Sequence, residues 1–581
     1  MAKKAFSVLI LAAGKATRFK SDHSKMLHRL AGLPLGAYVL DAARAAEPER
    51  TYMVVGHEAE EVRKALARPD VTFIEQKEQL GTGHALMTAA SELRQSPSPT
   101  IVVLVGDAPL LQTETIQALV EAHAKAGAAA TVLTTRLDDP RGYGRIVRGG
   151  GGRVRAIVEE KLSTPAQRKI TEINSGIIAF SKRELLQHLD ALTNANAQKE
   201  YLLTDLVEIF NRHKLKVTAF AVAEARQVLG VNDRVELAQM EKILRLRKAE
   251  ALMREGVTIL DPQYTYIDAG VAVGRDTILE PGASLLGATR LGQGCTVKSW
   301  STLTDTILHD NVTVRAHCVI NNCEIAAGAV IGPFAHLRDG AIIEEEARIG
   351  NFVEVKKSRV GRGSKALHLT YLGDSSLGAK VNIGAGTVTC NYDGETKHPT
   401  TIENGVFIGS GSMLVAPVRI GKSAYVAAGS TITEDVPAEA LAVARARQVN
   451  KEGWTRKRET VRPSIHVVVR GTGEITIFDI GGRLTLGEPV ARLEQEVRPM
   501  IAAGRKRIIL NLAKLTYMDS AGMGALAGVL KATREAGGQL KLCGLPPKVW
   551  ALLETADLDK VFEIHPDEAS ALISFDQPPG A

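Results

Sequence analysis

Between about Ile267 and Ile432 an aliphatic residue returns at every sixth position over long phased runs. Ile267, Val273, Leu279, Leu285, Leu291, Val297 and Leu303 form the first run. After a break the phase resumes at Val319, Ile325, Ile331, Leu337, Ile343, Ile349 and Val355, and again at Ile402, Ile408, Leu414, Ile420, Val426 and Ile432. A helix repeats every 3.6 residues and a strand every 2, so neither gives this beat. A coil of short strands does, because each strand sends one aliphatic side chain inward before a corner, as at Leu291-Gly292, Ile331-Gly332, Ile349-Gly350 and Ile420-Gly421. The pattern predicts a parallel β-helix over 257–450; an ordinary β-rich domain with chance spacing is the alternative.

The flanks follow other periods. Residues 1–232 alternate buried-type strands (Phe6–Leu11, Thr51–Val55, Ile101–Val105, Ala129–Thr134) with helical stretches such as Leu35–Ala46 and Thr113–Ala126, which predicts a mostly parallel α/β sheet. Residues 233–256 are rich in helix formers, without Gly or Pro over Arg234–Glu255, and predict a rigid connector whose charges form a solvated face. Residues 451–464 are basic and polar and read as a linker. From 465 to 575 the order is strand, strand, helix, strand, helix, strand, which fits a small α/β domain with its own core.

Composition agrees with several folded domains. The 581 residues, 45% hydrophobic and 24% charged, exceed what one core of about 250–300 residues can hold. No apolar run reaches the roughly 18 residues of a membrane span, and the Met1-Ala2-Lys3-Lys4 start shows no cleavage pattern, so a cytoplasmic location is expected. Five scattered cysteines without a CxxC pair indicate neither a disulfide framework nor a zinc site. The net charge of +7 suits anionic small substrates, and without interleaved aromatic residues it argues against nucleic acid.

Candidate chemistry in the first segment sits at strand ends. Leu11-Ala12-Ala13-Gly14 opens a small-residue loop that can bring backbone N–H groups against phosphate, with Arg18 and Lys25 as nearby cations. Taken alone, the loop also fits a plain tight turn. Gln79-Leu80-Gly81-Thr82 is a second such loop, and Asp107 follows a strand where it either holds Mg²⁺ or caps a turn.

LAAGxxTR, the Lys of SKMLH, QLGTGHA, GDAPL, GYGRI, VEEK, EINSGI and GVND, in this order, resemble the sugar-phosphate nucleotidyltransferases. Followed by a hexapeptide coil, residues 5–458 resemble the bifunctional N-acetylglucosamine-1-phosphate uridylyltransferase / glucosamine-1-phosphate acetyltransferase family. That resemblance implies a Rossmann-like head, a left-handed parallel β-helix and a homotrimer. Its product would be UDP-N-acetylglucosamine, a precursor of peptidoglycan and lipopolysaccharide. It implies further that Leu11, Ala12, Ala13, Gly14, Gln79, Gly81 and Thr82 contact UTP, with Arg18 and Lys25 neutralising phosphate. Asp107 and Asn232 would ligate Mg²⁺, and Gly142, Gly144, Glu159 and Asn174 would hold the sugar. The usual second glycine of the first loop is Ala16 here.

The coil carries polar residues that a structural repeat does not need, around Glu354 and Lys365-Ala366-Leu367-His368. A lone histidine there is either a surface residue or a base, and Glu354 could orient its ring. The resemblance implies His368 as general base, with Arg338, Lys356, Tyr371 and Asn382 on glucosamine 1-phosphate. It places Ala385, Asn391, Tyr392, Ser410, Ala428 and Arg445 on acetyl-CoA.

In the last segment Leu515–Gly524 lies between a strand and a helix, where Asp519 or Ser520 can cap. The segment resembles the anti-sigma factor antagonist (STAS) domain, which implies a regulatory, protein-binding module and Ser520 as the position a partner kinase phosphorylates; Ala521 departs from the usual Ser or Thr. Two other readings stand beside the bifunctional enzyme: a nucleotidyltransferase for another sugar phosphate, and a signalling scaffold acting through 465–575.

Overall fold

The computed structural model describes residues 5–14, 17–196, 199–455 and 464–576. Ala16 and residues 456–463 of the expected linker lie outside that set. The chain divides into two compact units, Met1–Ala446 and Arg447–Ala581.

The first unit opens with a twisted sheet in the order Val71–Glu75, Thr51–Val55, Phe6–Ala12, Thr100–Val105, Glu172–Ser181, Ala130–Arg136, Val217–Ala221. All neighbours are parallel except Glu172–Ser181, which runs against both of its own. One apolar cluster on helices Leu35–Ala45 and Thr113–Ala126 and a second on Thr82–Gln95 and Asp205–Arg212 pack against the sheet. From Phe6–Ala12 the chain first builds outward to Thr51–Val55, then returns to add Thr100–Val105 on the other side. The two connections diverge beside Ala12, and such a switch point opens a crevice at the carboxyl ends of the strands.

Helix Arg234–Arg254 starts on Asp233, whose carboxylate accepts from Val235 N and Glu236 N. Met240 joins the core of the head, while Ala249 and Leu252 are buried in that of the coil. The connector is therefore anchored at both ends rather than simply solvated. The coil that follows is a parallel β-helix of two- and three-residue strands, interrupted by two longer ones, Arg348–Lys356 and Lys365–Gly373.

Register explains the beat and corrects part of its reading. Ile267 lies against Leu285 and Leu285 against Leu303, eighteen positions apart, which is three six-residue sides per coil. Val297, however, lies against Val314, and Ile349 against Ala366, seventeen positions apart. One side of those coils is five residues long, so the inward series runs Leu303, Leu308, Val314, Ile320, Ile325 and Ile331, all at most 1% exposed. Val319, expected inward, is 42% exposed. The short sides turn at Asp305, Asn322, Lys357 and Asp374, each with a single left-handed backbone conformation. Between Ile383 and Ile408 the register jumps by twenty-five, and residues 391–399 form the excursion.

The second unit has a five-stranded sheet: Ile465–Thr472 antiparallel to Ile475–Leu484, then Arg507–Met518, Gln539–Cys543 and Glu563–His565 in parallel. Helices Glu488–Ala502, Ser520–Glu535 and Pro547–Thr555 share one apolar core, and Glu568–Ile573 with Phe575 packs on Ile477, Ile509 and Cys543. Among the described residues, no helix is long and apolar enough to cross a membrane.

Candidate functional site

At the switch point of the head lies a cavity of about 480 Å³ lined by Leu11, Ala12, Ala13, Gly14, Lys25, Gln79, Gly81, Thr82 and Asp107, together with Gln76 and Glu200. Gly81 has φ +108°, and a Cβ there would stand 2.5 Å from the Tyr201 carbonyl oxygen, so only glycine fits. Lys25 is largely buried and its Nζ lies 2.5 Å from Asp107 Oδ2. The loop before it is held by Glu58, whose carboxylate accepts from Ser24 N at 2.6 Å. Val231 N donates to the Asp107 carbonyl at 2.9 Å, drawing in Asn232, whose Oδ1 accepts from Arg18 Nη2 at 2.8 Å. Each thus has a side-chain oxygen on a cation, Lys25 for Asp107 and Arg18 for Asn232, and both are oxygen donors of the kind Mg²⁺ takes. No cluster of three or more His, Cys, Asp or Glu suited to a metal occurs among the described residues.

Gly144, Glu159 and Asn174 also meet. Asn174 N donates to the Gly144 carbonyl at 2.8 Å, and a Cβ on Gly144 would stand 3.5 Å from both carboxylate oxygens of Glu159. Glu159 accepts from Thr204 at 3.3 Å, but its burial dominates and raises its pKa. Burial likewise pushes the Tyr143 phenol up to about 12. Gly142, with φ +85°, turns the chain just before them.

On the coil, His368 is paired in register with Asn351 of the preceding turn, and its Nδ1 lies 3.0 Å from Asn351 Oδ1. An amide oxygen accepts, so the ring proton sits on Nδ1 and Nε2 keeps its lone pair. Glu354 does not orient this ring: it stands opposite Tyr371 and binds the Arg338 guanidinium at 2.8 Å. The left-handed corner at Phe352 is the reason, since beyond it Glu354 is already on the next side of the coil. Arg338 pairs in register with Lys356, and Asp339 lies 2.9 Å from the first and 3.9 Å from the second.

Register also aligns His368 with Ala385, Ser410 and Ala428, each two residues past a buried aliphatic of the same column (Ala366, Ile383, Ile408, Val426). The adjacent corner changes character along the coil. Trp300, His317, Phe334, Phe352 and Leu369 all hold left-handed backbone conformations, and Phe334 stacks on both His317 and Phe352 at centroid distances of 4.9 and 5.4 Å. Beyond Leu369 the same corner is Gly386, Gly411 and Gly429, so no side chain stands at the corner beside Ala385, Ser410 and Ala428. Asn382 sits apart, opposite Lys365. Asn391 is buried and donates to Asp374 at 2.5 Å, anchoring the excursion on which Tyr392 is exposed. Arg445 is exposed past the last coil strand.

In the second unit Asp519, not Ser520, caps helix Ser520–Glu535, accepting from Gly522 N at 2.9 Å and Leu486 N at 3.1 Å. These bonds, Gly522's first, hold its carboxyl below the usual range. Ser520 is the exposed first residue of the helix.

The chain is 48% identical over 457 residues to the bifunctional protein GlmU of Koribacter versatilis, a match covering 78% of this chain and 97% of the relative. The GlmU of Trichlorobacter lovleyi is 48% identical over 453 residues, covering 78% and 98%, and that of Shouchella clausii 46% over 449, covering 77% and 98%. The chain belongs to the bifunctional GlmU family. Family models agree by segment: a MobA-like NTP transferase domain matches residues 8–213, six bacterial transferase hexapeptide repeats match 322–357 and 399–434, and a STAS domain matches 466–571.

The sequence motifs of the GlmU segment assign no role to Asn351, Gln76 or Glu200. Gln76 Nε2 donates to the Gly81 carbonyl at 3.2 Å and lies 2.9 Å from His84 Nδ1, so it shapes the second loop from outside its motif. Only coil length puts Asn351 beside His368; seventeen residues separate them in sequence.

Proposed function

We propose that the protein makes UDP-N-acetylglucosamine, by acetyl transfer from acetyl-CoA to glucosamine 1-phosphate on the coil and uridylyl transfer from UTP to N-acetylglucosamine 1-phosphate in the head. The observation that carries this reading is kinship to bifunctional GlmU proteins across nearly their whole length, head and coil together.

In acetyl transfer, His368 Nε2 takes the proton as the sugar amine attacks the thioester carbonyl; the new C–N bond forms, the C–S bond breaks and the thiolate leaves. Asn351 fixes the tautomer that leaves Nε2 free. Arg338 and Lys356 receive the sugar's phosphate, with Glu354 holding the Arg338 fork, and Tyr371 and Asn382 complete the sugar's contacts. Acetyl-CoA lies along the glycine corner beside Ala385, Ser410 and Ala428, with Asn391, Tyr392 and Arg445 at its margin.

For uridylyl transfer, Leu11–Gly14, Gln79, Gly81 and Thr82 seat the nucleotide while Gly142, Gly144, Glu159 and Asn174 present the sugar phosphate, so that its oxygen attacks the α-phosphorus in line and pyrophosphate departs. Lys25 and Arg18 offset the phosphate charge. Mg²⁺, held by Asp107 and Asn232, supplies further charge neutralisation when bound.

The exposed apolar corner from Trp300 to Leu369 supports a homotrimer, since side chains held in left-handed backbone and left open to water suit burial by another copy. Ser520, exposed at a helix start, is the proposed phosphorylation position of a regulatory STAS domain; a phosphate there would compete with Asp519 for the same N–H groups.

Purified protein supplied with glucosamine 1-phosphate, acetyl-CoA, UTP and Mg²⁺ should yield UDP-N-acetylglucosamine. His368→Asn should lower acetyl transfer by about 10²–10⁴-fold while uridylyl transfer to supplied N-acetylglucosamine 1-phosphate stays unchanged. No nucleotide sugar from the wild-type chain overturns the reading.

A further inference from the structure

Arg145 carries a fully buried guanidinium that none of the roles above uses. It belongs to a short strand, Arg145–Arg148, wedged between two others: Arg145 stands opposite Ile173 on one side and Val158 on the other. Asn174 follows the first of those partners and Glu159 the second, while Gly144 precedes Arg145 itself. The three segments that present the sugar-side residues therefore cross at this position.

The side chain is only 1% exposed, and its Nη2 lies 2.6 Å from Glu160 Oε2. Its Nη1 donates to the Tyr143 carbonyl oxygen. One rigid fork thus ties the residue before Gly144 to the residue after Glu159. Neither the guanidinium's Nε nor Glu160 Oε2 has a hydrogen-bond partner among the described residues, so the two side chains meet as a close ion pair, and Glu160 supplies the charge compensation for a cation taken out of water. Lysine, with a single ammonium on a flexible stem, does not reproduce that two-point hold.

We propose that the Arg145–Glu160 ion pair is a positioning device for the acceptor sugar, fixing Gly144 and Glu159 relative to each other. Neither residue touches substrate; the pair acts through Gly144, Glu159 and Asn174, and the inference rests on the assignment of those three to the sugar. Releasing the fork lets Glu159 and Gly144 move apart, and small displacements of positioning groups cost rate steeply.

The test uses the full chain. Glu160→Ala, Glu160→Asp, Arg145→Lys and, beside them, Glu159→Gln are compared with wild type in uridylyl transfer, varying each substrate in turn, and in acetyl transfer as an internal control. Glu160→Ala should raise KM for N-acetylglucosamine 1-phosphate by about tenfold or more while KM for UTP stays within about twofold, with partial recovery in Glu160→Asp. Acetyl transfer should be unchanged in every variant. Equal shifts in both KM values, or a fall in both activities together, would mark a merely structural ion pair and overturn the proposal. If Glu159→Gln leaves the sugar's KM unaltered, the sugar-site assignment fails and the proposal with it. A raised KM in Glu159→Gln with normal Glu160 variants overturns the positioning role alone. Arg145→Lys guards against misfolding in the alanine variant, and normal sugar binding in it would also count against the fork.

Discussion

His368 differs from other histidines of the coil in the partner it keeps. His309 lies 2.9 Å from Glu324 and His398 lies 2.6 Å from Asp393, both carboxylates, whereas the His368 ring meets the neutral amide of Asn351. An amide orients the ring without favouring its charged form, which suits a base that must be unprotonated to act. Asn351→Asp should reverse that advantage. A carboxylate at this distance favours the imidazolium, so acetyl transfer should be lost at a higher pH than in wild type. Asn351→Ala should lower kcat about tenfold without moving that limb as far. A pH–rate profile of acetyl transfer reads both, and an unshifted acid limb in Asn351→Asp would remove the orienting role. His368, Lys25 and Asp107 stand within motifs whose order is readable from the chain. Asn351 does not, because its meaning depends on a coil of seventeen residues rather than eighteen.

The same one-residue difference governs the elements. The six-residue beat identifies the β-helix and its inward positions wherever all three sides are six residues long, as from Ile267 to Leu303 and from Ile402 to Ile432. It fails at Val319 because the sides entering Leu308 and Ile325 are five residues long, and a slip of one position in a strand turns every side chain to the other face. In the head, the parallel strands and main helices are legible from their periodicity, but the antiparallel placement of Glu172–Ser181 between two others is not, since strand direction leaves no mark on a buried apolar run. Substitution can distinguish the two registers of the coil. Ile320→Ala should cost about 2–5 kcal/mol, because the methyl groups removed leave a void in a packed interior. Val319→Ala, on the solvent side, should cost less than about 0.5 kcal/mol. Denaturant midpoints of the coil's transition in the full chain measure both, and equal losses would contradict the five-residue side.

For the whole molecule, the decisive property is where each core draws its residues. The apolar clusters of the head and coil end at Val436, with Ala440 and Ala442 packed against them, while both clusters of the STAS unit lie between Ile465 and Phe575. Each unit thus has buried clusters of its own and with them its own hydrophobic stabilisation. The proposed catalytic residues, from Leu11 to Arg445, all fall in the first unit. A chain ending after Arg458 should therefore keep both transferase activities within about twofold of the full chain, since loss of an independent domain leaves the other's packing intact. It should also keep the mass of three copies in solution, because the exposed corner from Trp300 to Leu369 belongs to the coil. Light scattering and the two assays, run on both chains, test these points together. A monomeric mass for both would remove the trimer. A trimeric full chain beside a monomeric truncation would instead make the STAS unit the source of assembly, and an acetyl-transfer rate that falls only in the truncation would show that this unit reaches the coil's chemistry.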